Sequence, residues 1–182
     1  LTPSENRHAK FLKVLRKAAS KNTIFSGDAC QLVYTGSFVF PVAKPRKWFY
    51  PAGFCALGNA LPNAIGAKLA QPDLPVVVLA GDGGFMFTMP ELLTAVESDL
   101  GIPVIIWENG GIKQIQDDMD SRDIVRVGVE GINPDFELLA KARHCKAFRP
   151  KSEADFLKQF KESIGSDKPT LIIINEEEEW LQ

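Results

Sequence analysis

No stretch of the 182-residue chain comes near the roughly 18 consecutive apolar residues of a membrane-spanning helix; the longest tight run is Val76-Val77-Val78-Leu79-Ala80. No secretory leader is visible at the start, where Thr2-Pro3-Ser4-Glu5-Asn6 is polar. Lysine and arginine never cluster: 21 basic against 23 acidic residues give a formal charge of −2. Without a basic face, a nucleic-acid partner is disfavoured. Cysteine is scarce. Cys30, Cys55 and Cys145 are odd in number and lack the paired spacing of a zinc site, so the expectation is three reduced, mostly buried thiols in a cytoplasmic protein. Repeats, internal linkers and an initiating methionine are missing too, and a start at Leu1 points to a piece of something longer. Secreted, membrane, disulfide-framed and disordered classes drop out.

What is present is enough for one domain: 45% apolar and 24% charged residues over a length close to a single folding unit. Short apolar runs at Thr23–Ser26, Lys47–Tyr50, Pro75–Ala80, Pro103–Trp107, Cys145–Phe148 and Thr170–Ile174 read as strands. Val76-Val77-Val78 and Ile172-Ile173-Ile174 show no in/out alternation, as expected of parallel strands covered by helices on both faces. Helical stripes lie between them. Phe11, Leu12, Leu15 and Ala18-Ala19 mark one, and Leu61, Ile65 and Leu69 another. Thr88-Met89-Pro90-Glu91 reads as a capping box before Leu92, Leu93 and Val96. Asn133-Pro134 opens a helix with Phe136, Leu139 and Ala140 inward, and Ser152–Ile164 closes the series with Phe156, Leu157 and Phe160. The alternation predicts an α/β fold, with about six mainly parallel strands and helices on both faces, forming one domain over residues 1–182. The charge run Glu176–Glu179 is expected to be a solvated tail.

In such a sheet, ligands bind beyond the carboxyl ends of the strands. Two ends carry chemistry. After Val76–Ala80 comes Gly81-Asp82-Gly83-Gly84, and after Val104–Trp107 comes Glu108-Asn109-Gly110-Gly111. Glycine leaves the amides of Gly83 and Gly84 unshielded, able to cradle phosphate oxygens. An aspartate there would repel phosphate unless a cation lies between them, so Asp82 implies a hard divalent metal bridging carboxylate and phosphate. Asn109 adds a neutral amide oxygen and Gly111 a carbonyl, 27 and 29 residues beyond Asp82 (109 and 111 minus 82). A dinucleotide fingerprint is rejected, because Gly81-Asp82-Gly83-Gly84-Phe85-Met86 lacks the third glycine.

The run Gly81 to Gly111 resembles the thiamine-diphosphate motif, Gly-Asp-Gly followed some two dozen residues later by Asn. The segment Cys55 to Ala67 is similar to a second signature of the same group. On these residues the chain resembles the C-terminal, diphosphate-binding domain of the acetolactate synthase and 2-oxo acid decarboxylase superfamily, and Phe85–Glu91, Arg122–Ile124 and Asn133–Phe136 look most like the group that includes 2-oxoarginine decarboxylase. The resemblance implies thiamine diphosphate and Mg²⁺ as cofactors. It implies Asp82, Asn109 and the Gly111 carbonyl as metal ligands, and Gly83 and Gly84 as diphosphate-binding amides. It further implies Leu57 as the support of the bent cofactor, the Cys55 carbonyl as acceptor for the aminopyrimidine, and Gln31 in a loop touching the diphosphate.

No catalytic residue is assigned to this chain. In the family, the activating Glu sits on a separate pyrimidine-binding domain of the same or a sister chain, with a 2-oxo acid as substrate. The resemblance therefore implies one domain of a larger three-domain enzyme, homo-oligomeric when complete and inactive in this piece alone. Two alternatives stay open: a natural small subunit of a two-chain decarboxylase, and a non-catalytic nucleotide-binding or scaffold module with a degenerate site. The chain departs from the family pattern at Glu108, where relatives read Asn, at Ile112-Lys113, where many read Tyr-Gly, and at Ile115, where some carry an acid. Phe38, Phe40, Trp48, Phe54 and Met119 are candidates for an apolar edge that packs on sister domains.

Overall fold

The unbroken β-branched runs are buried on both sides, and alternate residues of one strand serve different layers. In the computed structural model, which describes residues 1–182, Val76, Val78, Ala80, Val104 and Ile106 join one cluster of 19 buried residues. Val77, Leu79, Ile105, Trp107 and Ile172 join another of 17 on the opposite face. Each fully buried branched side chain contributes about 1.5–3 kcal/mol, so a charge placed at Val78 or Ile105 would lose that and add an unpaired ion to a dry layer.

The strands are β1 Ile24–Gly27, β2 Trp48–Phe49, β3 Val76–Gly81, β4 Pro103–Glu108, β5 Lys146–Phe148 and β6 Thr170–Asn175. They form one sheet in the order β2-β1-β3-β4-β6-β5, and every pairing is parallel. All six expected strands are present. The helices are α1 Pro3–Ala18, α2 Gln31–Val39, α3 Ala60–Ala70, α4 Asp82–Thr88, α5 Glu91–Glu97, α6 Lys113–Asp120, α7 Phe136–Ala142 and α8 Glu153–Ile164. Helices α3, α5 and α7 cover the first face; α1, α2 and α8 cover the second. None is long and apolar enough to cross a membrane.

Caps set the helix starts. Thr2 and Glu5 form a reciprocal capping box, so α1 begins before its apolar stripe does. Ser152 accepts the Asp155 amide at 3.0 Å and starts α8. Asp135 accepts the amides of Glu137 and Leu138, so α7 begins there rather than at Asn133-Pro134.

Several expectations are corrected. Thr88 is no cap: it is the last residue of α4, and its hydroxyl donates to the Gly58 carbonyl at 2.6 Å. Leu69 is exposed, because the last turn of α3 is closed in solvent by Lys68, whose ammonium donates to the carbonyls of Pro72 and Leu74. Leu157 is exposed too, since α8 buries Phe156 and Phe160 instead. Cys55 is exposed rather than buried, and Cys30 and Cys145 are half-buried; all three are free thiols. Of the supposed apolar edge, Phe38 and Phe54 stand 90% and 97% exposed. Phe40 is core, stacked on the half-buried Trp48 at 4.9 Å, and Met119 is half-buried.

This topology opens the crevice. From β1 the chain runs outward to β2, whereas from β3 it runs to β4 on the other side. The tips of β1 and β3 therefore send their loops apart, leaving the gap in which α/β sheets bind ligands.

Candidate functional site

The tip of β3 carries Asp82, the first residue of α4, with a fully buried side chain. Register brings the tip of β4 beside it, Gly81 opposite Trp107. The loop after β4 then wraps the carboxylate. Asp82 Oδ2 accepts the amides of Asn109 at 3.2 Å, Gly110 at 2.8 Å and Gly111 at 3.2 Å, and the Asn133 carboxamide at 2.8 Å. Oδ1 accepts the Gly83 amide at 2.8 Å. Successive amides can converge in this way because Gly110 and Gly111 have φ of +90° and +105°. Gln116, buried on α6, clamps the loop from behind by donating to the carbonyls of Gly110 and Val129 at 2.6 and 2.9 Å.

The sequence-predicted ligands thus meet at neighbouring strand tips. The close approach is backbone-tight: a Cβ on Gly83 would lie 3.0 Å from the Gly111 carbonyl. The Asn109 side chain turns its Nδ2 to Glu176 Oε2 at 3.0 Å and Gln31 Oε1 at 3.4 Å.

The tip of β1 supplies Asp28, also buried. Its two oxygens accept the Gly58 amide at 3.0 and 2.9 Å, and Oδ1 accepts the Ala29 amide. Burial pushes its carboxyl above the ordinary range, against those hydrogen bonds. Asp28 holds the turn carrying Leu57 against α4, where a Cβ on Gly84 would meet Asp28 Oδ2 at 2.6 Å and Leu57 at 3.5 Å. Gln31, Leu57, Gly84, Asn109 and Gly111 line one cavity of about 30 Å³ between the strand tips. Gln31 straps it by donating to Asp117 on α6 at 2.8 Å. Cys30 lies in the same lining, its thiol pushed up to about 12 by burial and so fully protonated at neutral pH. Cys55 is outside that lining, on an exposed turn with φ of +48°.

Two acids behave differently from their appearance in the sequence. Glu108 is held by Arg149 at 2.8 and 3.4 Å, which neutralises it. Glu176 is no solvated tail. It is 4% exposed, and accepts from Ser4, from Arg7 at 3.2 Å, from Trp107 Nε1 at 2.8 Å and from Asn109. Burial raises its carboxyl, but hydrogen bonds involving His8, Ser4, Trp107 and Asn109 outweigh that and hold it well below the ordinary range. Asn109, Gly110, Asn133 and Glu176 face a cleft of about 750 Å³ beyond β4 and β6. Asn133, Gln116 and Glu176 were not recognised as site residues from the sequence. Only Glu176 had a usable signal there, its place directly after a strand's carboxyl end.

The donor set suits a hard cation. No lysine, arginine or histidine pairs with Asp82, so its buried negative charge has no protein counter-ion. No three His, Cys, Asp or Glu residues converge in a geometry that could by itself hold a metal ion. One carboxylate with neutral oxygens leaves room for phosphate and water, which is how Mg²⁺ is usually bound.

The family model "Thiamine pyrophosphate enzyme, C-terminal TPP binding domain" matches residues 28–174. The chain is 40% identical over 171 residues to "Probable 2-ketoarginine decarboxylase" of Pseudomonas aeruginosa, covering 93% of this chain and 31% of that protein. It is 31% identical over 171 residues to the acetolactate synthase large subunit of Lactococcus lactis, covering 91% of this chain and 29% of that one. Among solved structures, a thiamine diphosphate-dependent 4-hydroxybenzoylformate decarboxylase of Rhodococcus jostii superposes with a TM-score of 0.84 at 25% identity, over 92% of this chain and 32% of its own. The chain therefore spans about a third of the length of these relatives.

Proposed function

Because the chain belongs to the family of C-terminal cofactor-binding domains of thiamine pyrophosphate enzymes, we propose that it anchors the diphosphate of thiamine diphosphate through Mg²⁺. Asp82 and Asn109 are the side-chain ligands and Gly111 lends its carbonyl. The amides of Gly83 and Gly84, in the first turn of α4, would hold the diphosphate oxygens. Leu57 packs against the bound cofactor and the Cys55 carbonyl takes its aminopyrimidine. Gln31 closes over the diphosphate from the start of α2. Because the cavity is only about 30 Å³, the Gln31–Asp117 strap must yield for entry.

The carrying observation is Asp82: buried, without a protein counter-ion, and bonded to the loop that bears the other two ligands. Bound thiamine diphosphate supplies a carbon nucleophile and electron sink for cleaving or joining bonds beside a carbonyl. This chain's residues anchor and orient that group, and exclude water from its anionic end. Glu108, which together with Ile112-Lys113 supports a degenerate non-catalytic module, is occupied by Arg149.

The whole enzyme is a decarboxylase or acetolactate-synthase-like enzyme of a 2-oxo acid, with 2-ketoarginine the first substrate to try, given the Pseudomonas relative. Its activating Glu comes from a pyrimidine-binding domain outside these 182 residues, so this chain alone is inactive. Exposed Phe38, Phe54 and Phe87 suit packing against such a domain or a sister copy. Isothermal titration with thiamine diphosphate, with and without Mg²⁺, tests the assignment. Binding only with metal is expected. Equal affinity in its absence, or rapid 2-oxo acid turnover by the chain alone, would overturn it.

A further inference from the structure

We propose that Glu176 is a positioning residue for the metal loop, fixing which end of the Asn109 carboxamide is left free for a cation held at Asp82. The inference rests on the reading of Asp82 and Asn109 as ligands.

Glu176 directly follows β6, and its amide donates to the Glu108 carbonyl at 3.1 Å, extending the β4–β6 register by one residue. Its carboxylate is pinned from two elements. Oε1 takes Ser4 and Arg7 of α1, and Oε2 takes Trp107 Nε1 from β4 at 2.8 Å and the Asn109 Nδ2 at 3.0 Å, with His8 Nε2 of α1 3.6 Å away. A carboxylate only accepts. The amide must therefore turn its NH₂ end to Glu176, and its oxygen away.

A second acceptor enforces the same choice. Gln31 Oε1 faces that Nδ2 at 3.4 Å, and Gln31 cannot turn over freely because its own Nε2 donates to Asp117 at 2.8 Å. Oxygen and nitrogen ends of an amide are nearly the same shape, so packing alone would not choose between them. Flipped, Asn109 would point two N–H groups at a cation. Ligand-orienting partners of this kind are worth about 10- to 100-fold in metal affinity. Glu176 also carries the constraint outward, since its other partners Ser4 and Arg7 belong to the first two turns of α1.

The experiment measures Mn²⁺ binding by electron paramagnetic resonance, with thiamine diphosphate present, in the wild-type chain and in Glu176→Gln. The expected result is binding about tenfold weaker in the variant. The decisive arm repeats the substitution in an Asn109→Asp background. A carboxylate has oxygen at both ends, so orientation no longer matters, and Glu176 is now a like charge at contact distance. There Glu176→Gln should leave Mn²⁺ affinity unchanged or raise it. A merely structural role would weaken both backgrounds alike, and that outcome, or wild-type affinity in the single variant, overturns the proposal.

If Glu176→Gln fails to fold, the wild-type chain decides. The Asn109 side-chain NH₂ signals, assigned by their loss in Asn109→Asp, should be protected from solvent exchange. Freely exchanging signals would overturn the proposal. A wild type that takes up no Mn²⁺, or Asp82→Asn binding as well as wild type, would instead overturn the metal site itself and this inference with it.

Discussion

Asp82 Oδ2 and the Gly110 amide lie 2.8 Å apart, a bond that ties the tip of β3 to the loop leaving β4. It is one of five residues' N–H contacts on a single buried carboxylate. Asp82→Ala should lose metal-dependent cofactor binding in calorimetry. It should also cost about 2–4 kcal/mol in denaturant unfolding, because buried donors are left unpaired. Full stability in the alanine variant would contradict the loop's dependence on this residue.

Two adjacent glycines should respond unequally to alanine. Gly110 and Gly111 both have positive φ, so each substitution brings strain of about 1–3 kcal/mol. At Gly110 a Cβ meets nothing within 4 Å, whereas at Gly111 it would meet the Val129 carbonyl at 2.8 Å. Gly111→Ala should therefore unfold at the lower denaturant midpoint and lose cofactor binding more fully. Equal midpoints would show that the Val129 contact yields without cost.

Much of the fold was legible because the sheet is buried on both sides: Val76-Val77-Val78 and Ile172-Ile173-Ile174 announce themselves in one dimension. That Asp82 and Asn109, the proposed ligands, would meet at neighbouring strand tips was legible because they follow such runs. Helices α2, α4 and α6 were not. Helix α2 carries Val33, Thr35, Gly36 and Val39, poor formers held helical by tertiary contacts; a Cβ on Gly36 would sit 2.6 Å from the Trp48 ring. Helix α4 carries Gly83-Gly84 in its first turn, whose local preference is for a loop, and is fixed by the close approach of Asp28. Glu176 looked solvated because a charge run does not reveal that Ser4 and Arg7, 172 and 169 residues earlier, return to it.

Acid should expose Glu176. Its folded carboxyl is held below the ordinary value, so its stabilisation is complete above the unfolded value of about 4.3 and is lost as pH falls toward the folded one. At pH 7 Glu176→Gln should be less stable than wild type by about 2–4 kcal/mol. The gap should narrow steadily as pH falls below about 4. A gap that stays constant from pH 7 to 3 would show that the charge is not what matters.

Arg149 should act as a charge screen. It pairs with Glu108 at 2.8 Å and lies near Glu137 at 3.5 Å. Arg149→Met should destabilise the chain by about 1–2 kcal/mol and free a carboxylate one residue from Asn109. Mg²⁺ titration in the presence of thiamine diphosphate should then show tighter metal binding. Weaker or unchanged binding would mean that Glu108 does not reach the cation's field.

All six residues of β3 are buried, and its two neighbours are nearly as enclosed. Apart from Glu108 at the tip of β4, no position along these strands is open to solvent, so chemical novelty has nowhere to arise except at their carboxyl ends and in the residues just beyond. Changes at Ile112, Lys113 or Ile115, all beyond the end of β4, would leave every pairing within the sheet as it is.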